Sequence, residues 1–260
     1  MKKLNLLFFA RGLFAIACTP KVAETAAETT SKVEEKVEMV ADNATEGNQA
    51  LAIVQDYIDA MGGKDAIMKI SNVKTEMEAN TGMGAIEMKN FIKDGKYKMQ
   101  VMAQGMTVQE ITYDGARAMM DGMQGAQEVT DEKQLAGFAA QATVCPEMKY
   151  STDGYTVTYE GEDKIKGKEV HVLKVITPQG ATLTEYYSKE DKLKVRVVGE
   201  QEMQGQTQTV KTTMTDYKEV NGVKFPHSIT ISGPMPFDLN LEVTNLTVNG
   251  DMSDSLFVIE

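Results

Sequence analysis

Side chains able to make or break bonds are few in this sequence, and they are scattered. The chain of 260 residues carries two histidines, His171 and His227, and two cysteines, Cys18 and Cys145. Neither histidine has a second His or Cys at metal-ligand spacing, so no metal site is expected. No Gly-x-Ser-x-Gly elbow and no Walker-type phosphate loop occurs. Gly82-Met83-Gly84 and the Gly122 to Gly125 stretch read as turns. His227 follows Phe225-Pro226 and shares strand parity with Ile229 and Ile231, which makes it a packed or edge histidine. Cys145 precedes Pro146 with no His or basic cluster nearby to stabilise a thiolate, so it reads as a small buried apolar residue. Carboxylates are plentiful and no pair stands out; a dry pair assembled by the fold from distant positions stays open. The expectation is a protein that is not an enzyme, with no catalytic residue, no metal and no cofactor.

The chemistry that the composition does support is apolar burial. Methionine occurs 18 times and tryptophan not at all. The methionine side chain is unbranched and polarizable and adapts to irregular apolar shapes, either in a core or on a binding surface. Two readings stay open: a Met-rich core, or a deformable apolar cavity for a ligand. For the second, the candidate lining residues are Met77, Met88, Met99, Val101, Met106 and Val108, which share apolar parity on adjacent expected hairpins. Parity does not say which face is concave, and a β-bulge would reverse it locally. The net charge of −11 repels phosphate backbones and excludes nucleic acid as a partner, and it keeps the chain soluble.

The elements that must position these residues follow from periodicity. Leu51, Val54, Tyr57, Ile58 and Met61 fall on one stripe, which predicts a helix over 48–61 stopped by Gly62-Gly63. A second short helix is expected over 64–70, with Ile67 and Ile70 inward. From Asn72 the period becomes two: Val73, Thr75, Met77 and Ala79 alternate with polar neighbours, as do Tyr97, Met99 and Val101. Leu193, Val195 and Val197 alternate with Lys192, Lys194 and Arg196, which predicts a half-buried strand with its basic residues in solvent. Asp94-Gly95, Asp114-Gly115 and Asn221-Gly222 sit between such runs and suit two-residue hairpin turns. Hairpins make antiparallel neighbours, so the fold class is mainly β with a few helices, a strand meander without an internal repeat or a linker after residue 48. One interruption is expected between Asp121 and Lys149, a loop followed by a helix over 133–141. Residues 170–176 are apolar on both faces apart from His171 and Lys174, so this strand is expected to be covered on both sides, by that helix.

The first residues form a separate unit. Lys2 and Lys3 precede a short apolar run, and Ala15-Ile16-Ala17-Cys18 looks like a bacterial lipobox, with Ala15 where Leu is usual and Arg11 interrupting the apolar run. On this reading residues 1–17 are a signal peptide and Cys18 is the acylated first residue of the mature chain. Residues 18–47 hold that anchor and a polar, acidic tether without the apolar content to fold alone, and 48–260 form one domain. With Cys18 acylated, Cys145 has no disulfide partner.

The stretch Asp216-Tyr217-Lys218-Glu219-Val220-Asn221-Gly222-Val223-Lys224-Phe225-Pro226-His227 resembles a segment of outer-membrane lipoprotein-sorting proteins of the LolA/LolB type. Tyr57-Ile58-Asp59-Ala60-Met61-Gly62-Gly63-Lys64 resembles the helix that opens the same domains, particularly in Bacteroidetes-type members; Tyr113-Asp114-Gly115 and Val248-Asn249-Gly250-Asp251 with Phe257 are compatible. Similar tails follow other exported domains, pitrilysin-type zinc peptidases among them, but the histidine–glutamate motif of those peptidases is missing here. The resemblance implies an incomplete β-barrel, a curved antiparallel sheet with helices across its concave side, whose apolar face shelters acyl chains. It implies an envelope lipoprotein that binds an acyl chain, lipid or lipoprotein, in lipoprotein sorting to the outer membrane; the alternative is a structural or sensory lipoprotein using the same fold to bind a protein partner. The soluble carrier LolA is not itself lipid-anchored, and an anchor at Cys18 is closer to the receptor-like LolB role. The expected setting is the bacterial cell envelope, at the periplasmic face of the outer membrane, with the membrane reached through the N-terminal lipid anchor and the protein monomeric.

Overall fold

The structure is a computed structural model, and it describes residues 32–82, 84–123, 125–203, 206–233 and 237–259. The signal peptide assigned to 1–17, Cys18 and the first part of the tether lie outside the described residues.

Helix α1 (Lys32–Met61) runs back well beyond the start expected at residue 48. Its last turns bury Ala50, Val54, Tyr57, Ile58 and Met61, a stripe at helical spacing. The helix ends where the Gly63 N–H donates back to the Ile58 carbonyl oxygen (2.9 Å), and α2 (Lys64–Ile67) follows as a single turn.

Thirteen strands make one sheet. They are β1 (Asn72–Thr81), β2 (Gly84–Lys93), β3 (Lys96–Ala103), β4 (Met106–Tyr113), β5 (Ala118–Gly122) and β6 (Gln127–Val129), then β7 (Thr156–Ile165), β8 (Lys168–Ile176), β9 (Thr182–Ser188), β10 (Lys194–Met203), β11 (Gln206–Val220), β12 (Val223–Ser232) and β13 (Leu239–Val248). The order across the sheet is β6-β5-β4-β3-β2-β1-β13-β12-β11-β10-β9-β8-β7. Every pair is antiparallel, and the two ends are not joined, so the sheet is a barrel left open between β6 and β7. The chain crossing that opening carries α3 (Glu132–Gln141) and a 3-10 turn (Pro146–Lys149).

Local sequence explains most of this meander. Asp94-Gly95 and Asn221-Gly222 take positive φ at both positions, as a two-residue type I′ turn requires, and Gln104-Gly105 and Lys166-Gly167 do the same. Asp114-Gly115 behaves differently. The β4–β5 connection spans four residues, because the Asp114 carboxylate accepts from the Ala116 and Arg117 backbone N–H groups (2.9 and 2.7 Å).

Two cores lie on the inner face. One joins the β1–β4 side of the sheet with β12, β13 and α3; the other joins α1 and the 3-10 turn to β7–β9. A small third cluster, Phe91 with Met252 and Phe257, sits on the other face of β2. The strand at 170–176 is therefore covered by α1 and not by the 133–141 helix on the face of Leu173 and Val175, while on its other face Val170 is buried and Lys174 exposed. A long amphipathic helix supplies the apolar stripe that Leu173 and Val175 need, while α3 has too few apolar residues to reach both halves.

Candidate functional site

The inner face of the first half is an apolar wall set by register. Met77 pairs with Met88, Met88 with Val101, and Val101 with Gln109, so these four side chains form one cross-strand row. Below it Met99 pairs with Ile111, and below that Tyr97 pairs with Tyr113. Each of these pairs projects to the same side because strand side chains alternate with period two. Met77, Met88, Met99 and Val101 are all buried, and each contributes roughly 1.5–3 kcal/mol by leaving water.

The remaining two candidate lining residues lie elsewhere. The Gln104-Gly105 turn makes Met106 the first residue of β4, at the rim of the sheet, where it is 65% exposed. Val108 is half-buried and packs on the edge of the same core. A register shift after Val101 explains Val108: Val101 faces Gln109 while Met102 faces Thr107, leaving Val108 as the extra residue. The inward position that parity gives to Val108 thus belongs to Gln109.

Helix α3 covers this wall. Asp131 caps it, its carboxylate accepting from the Gln134 N–H (2.9 Å). Its one fully buried side chain is Phe138, assisted by the half-buried Leu135 and Ala139. An aromatic ring is a large apolar contact, but one ring is a light fastening for a whole helix.

The second half holds a feature that sequence parity conceals. Lys194 begins β10 and is buried, although alternation assigns it to solvent. The reason is a bulge: Lys194 pairs with Tyr187 and Arg196 with Tyr186, so Val195 is the extra residue and Lys194 turns inward. Its ammonium contacts the Glu147 carboxylate on the 3-10 turn and the Glu185 carboxylate on β9, the latter at 2.7 Å. Tyr150 donates to Glu185 (2.9 Å), as does Tyr187, and the Cys145 thiol donates to Glu147 (3.1 Å). The rings of Tyr57 and Tyr187 meet edge to face at 5.3 Å, each with its centroid within 5.6 Å of the Lys194 nitrogen. Burial works against the Lys194 ammonium, but Glu147 and Glu185 outweigh it and hold its pKa above the ordinary value. Burial, with Glu185 next, pushes the Tyr187 and Tyr150 hydroxyls up, and burial with Glu147 does so for Tyr57. Cys145, Glu147, Tyr150, Glu185, Tyr187 and Lys194 each donate to or accept from another of the set, with the Tyr57 ring packed on it, so the cluster fastens the 3-10 turn to β9 and β10.

This is the dry carboxylate pair that the sequence left open. Glu147 and Glu185 stand 38 positions apart in the chain, and only the 3-10 turn and the bulge bring them to one ammonium. Cys145 is buried, and burial, with Glu147 next, pushes its thiol up, which disfavours the thiolate. His171 stacks edge to face on Tyr159 (5.8 Å), and His227 Nδ1 lies 2.9 Å from the Phe225 carbonyl oxygen. Among the described residues no group of three His, Cys, Asp or Glu side chains could hold a metal ion, and no helix is long and apolar enough to cross a membrane.

The architecture has counterparts among solved structures. A domain described as an outer membrane lipoprotein-sorting protein from Vibrio parahaemolyticus superposes with a TM-score of 0.54 at 13% identity, covering 81% of this chain and 97% of that one. A LolA superfamily protein from Nitrosomonas europaea does so with a TM-score of 0.51 at 11% identity, over 81% and 97%. This is a LolA-like fold. A DUF1329 family protein from Desulfovibrio piger shares it, with a TM-score of 0.56 at 11% identity over 82% and 97%. No family model and no curated protein matches the sequence. The LolA-like fold accounts for the open sheet and the helices on its inner face, which the resemblance of the 57–64 and 216–227 segments implied. Those two segments touch: a Cβ at Gly62 would overlap the Gly222 carbonyl oxygen.

Proposed function

We propose that this protein is a non-enzymatic envelope lipoprotein, anchored through an acylated Cys18, that binds an acyl chain, lipid or lipoprotein on the inner face of the first half of its barrel. The observation that carries this reading is the apolar wall of Met77, Met88, Met99 and Val101 beneath a helix fastened by Phe138 alone among its fully buried side chains. Displacing α3 would uncover a hydrocarbon-lined trough of flexible methionines, a surface that adapts to alkyl chains of varied shape. The LolA-like fold supports the same reading, since one of its bearers is described as a lipoprotein-sorting domain. The second half, with its ionic cluster beneath α1, is the rigid part against which α3 would move.

On this reading the protein works at the periplasmic face of the outer membrane as a monomer, and sorting lipoproteins to that membrane is its role. The test is native mass spectrometry of the full chain purified from a bacterial envelope, with lipid extraction alongside. Acyl-bearing ligand that co-purifies, and is lost in a Phe138→Asp variant that still folds, supports the proposal. A ligand-free mass, with no uptake of fluorescent acyl probes, overturns it.

A further inference from the structure

The inner wall carries a polar step. Thr75 on β1 pairs with Asn90 on β2, Asn90 with Met99 on β3, and Thr75 with Leu246 on β13. A hydroxyl and an amide thus stand side by side between apolar neighbours. On the same two strands the next inward residues are Met77 and Met88 toward the rim, and Val73 and Ile92 on the other side. Val73, Met77, Met88 and Met99 are buried, whereas Thr75, Asn90 and Leu246 are half-buried. The covering helices explain the difference. Helix α3 approaches the sheet at β3, and α1 approaches it at β12 and β7. In the sheet order β2, β1 and β13 lie between those strands, so the polar step faces a part of the trough that neither helix fills.

Both groups have hydrogen bonds left to make. The Tyr97 hydroxyl donates to Asn90 Oδ1 (3.3 Å), which turns the amide so that Nδ2 points away from Tyr97. Among the described residues neither Asn90 Nδ2 nor the Thr75 hydroxyl has a partner within the protein. Directly opposed residues on antiparallel strands hold their Cβ atoms about 5 Å apart, so both donors can reach one oxygen placed over the pair. Two donors match the two lone pairs of a carbonyl oxygen. A carboxylate is matched less well. Lys74, Lys89 and Lys98 alternate with the inward residues and so project to the outer face, and Lys194 is held by Glu147 and Glu185 in the other half. A carboxylate brought to the pair would shed water without gaining a cation.

We infer that Thr75 and Asn90 form the polar subsite of the acyl site, both donating to the uncharged ester or amide carbonyl of a ligand whose chain covers Met77, Met88 and Met99. The inference rests on the acyl-binding reading and names the ligand class more narrowly: acyl esters and amides, in preference to free fatty acids and plain hydrocarbons.

The experiment measures binding of three pyrene-labelled chains of equal length to the full-length protein: a methyl ester, the free acid and an alkane. Thr75→Val and Asn90→Leu are compared with the unaltered chain. Thr75→Val keeps the side-chain shape and removes no hydrogen bond within the protein, so its urea-unfolding midpoint is expected to hold, and it decides the matter alone if Asn90→Leu, which also takes the partner of Tyr97, fails to fold. The ester binds the unaltered protein most tightly, and each variant weakens the ester about fivefold while leaving the alkane unchanged. An ester unaffected by Thr75→Val, ester and alkane weakened equally, or a lowered urea midpoint for Thr75→Val overturns the subsite and leaves acyl binding intact. An unaltered protein that prefers the free acid overturns the ligand class. No binding of any chain overturns acyl binding itself. Competition against the bound ester by diacyl phospholipid or by a triacylated cysteinyl peptide then separates lipid from lipoprotein as the source; displacement by neither overturns the assignment of the ligand class.

Discussion

Gly62 and Gly222 meet backbone to backbone. Gly62, at φ 132°, leaves α1 directly over the β11–β12 turn, and a Cβ at this position would also stand 3.2 Å from the Val223 Cα. Gly63 is likewise at positive φ (84°), but a Cβ there would meet nothing within 4 Å. Gly62→Ala therefore combines backbone strain with a clash against a main chain that cannot rotate away, and Gly63→Ala carries the strain alone. The expected losses are about 2–4 kcal/mol for Gly62→Ala and about 1 kcal/mol for Gly63→Ala, read from urea-unfolding midpoints. Equal losses would show that α1 does not rest on that turn.

This contact also explains which parts of the fold were legible in the sequence. The hairpins announced themselves through Asp94-Gly95 and Asn221-Gly222, and α1 through its apolar stripe, because turn chemistry and periodicity act over a few residues. The β-bulges did not. After Val101 a bulge gives Gln109 the inward place that parity assigns to Val108, and after Lys194 another turns a lysine into the core. Nothing local in Thr-Val-Gln or Lys-Val-Arg marks the extra residue, which is imposed by neighbouring strands. The Glu147–Lys194–Glu185 cluster was illegible for the same reason, as its members come from three elements that only the folded chain brings together.

That cluster ties stability to alkaline pH. Lys194, Tyr150 and Tyr187 all hold their protons more tightly in the folded state than in the unfolded chain. Above the ordinary tyrosine value of 10.0 the unfolded chain releases protons that the folded one keeps, so rising pH favours unfolding. The unfolding free energy is expected to lose nothing through these groups up to about pH 10 and to fall above it, less steeply in Tyr187→Phe. Urea titrations across that range check it, and identical slopes for the two proteins would count against the arrangement. Lys194→Met, which strands two buried carboxylates, is expected to cost about 3–5 kcal/mol at neutral pH, most of it recovered when Glu147→Gln and Glu185→Gln are added.

Helix α3 should come loose before the sheet does. Phe138→Ala removes its one fully buried side chain, at a local cost of about 3–5 kcal/mol. Hydrogen exchange read by mass spectrometry is then expected to show the amides of Glu132–Gln141 losing protection while those of β3 keep theirs. Loss of protection in both together would mean that α3 is an integral part of one cooperative unit and not a cover.

Met99 and Met106 test whether the wall or the rim carries the burial. Alternation and composition treat them alike, yet Met99 is 0% exposed and Met106 is 65% exposed. A carboxylate at Met99 would have to enter a fully buried site without a cation paired to it, between Asn90 and Ile111, so Met99→Asp is expected to cost about 4 kcal/mol or more, whereas Met106→Asp should stay within about 0.5 kcal/mol. Acyl-probe binding separates the positions in a second way. Met99→Leu keeps the volume and the fold, changing probe affinity by less than about threefold. Met106→Asp leaves the fold untouched but places a charge at the corner through which the chain would enter, slowing probe association more than dissociation. An unchanged association rate would place the entry elsewhere along the rim.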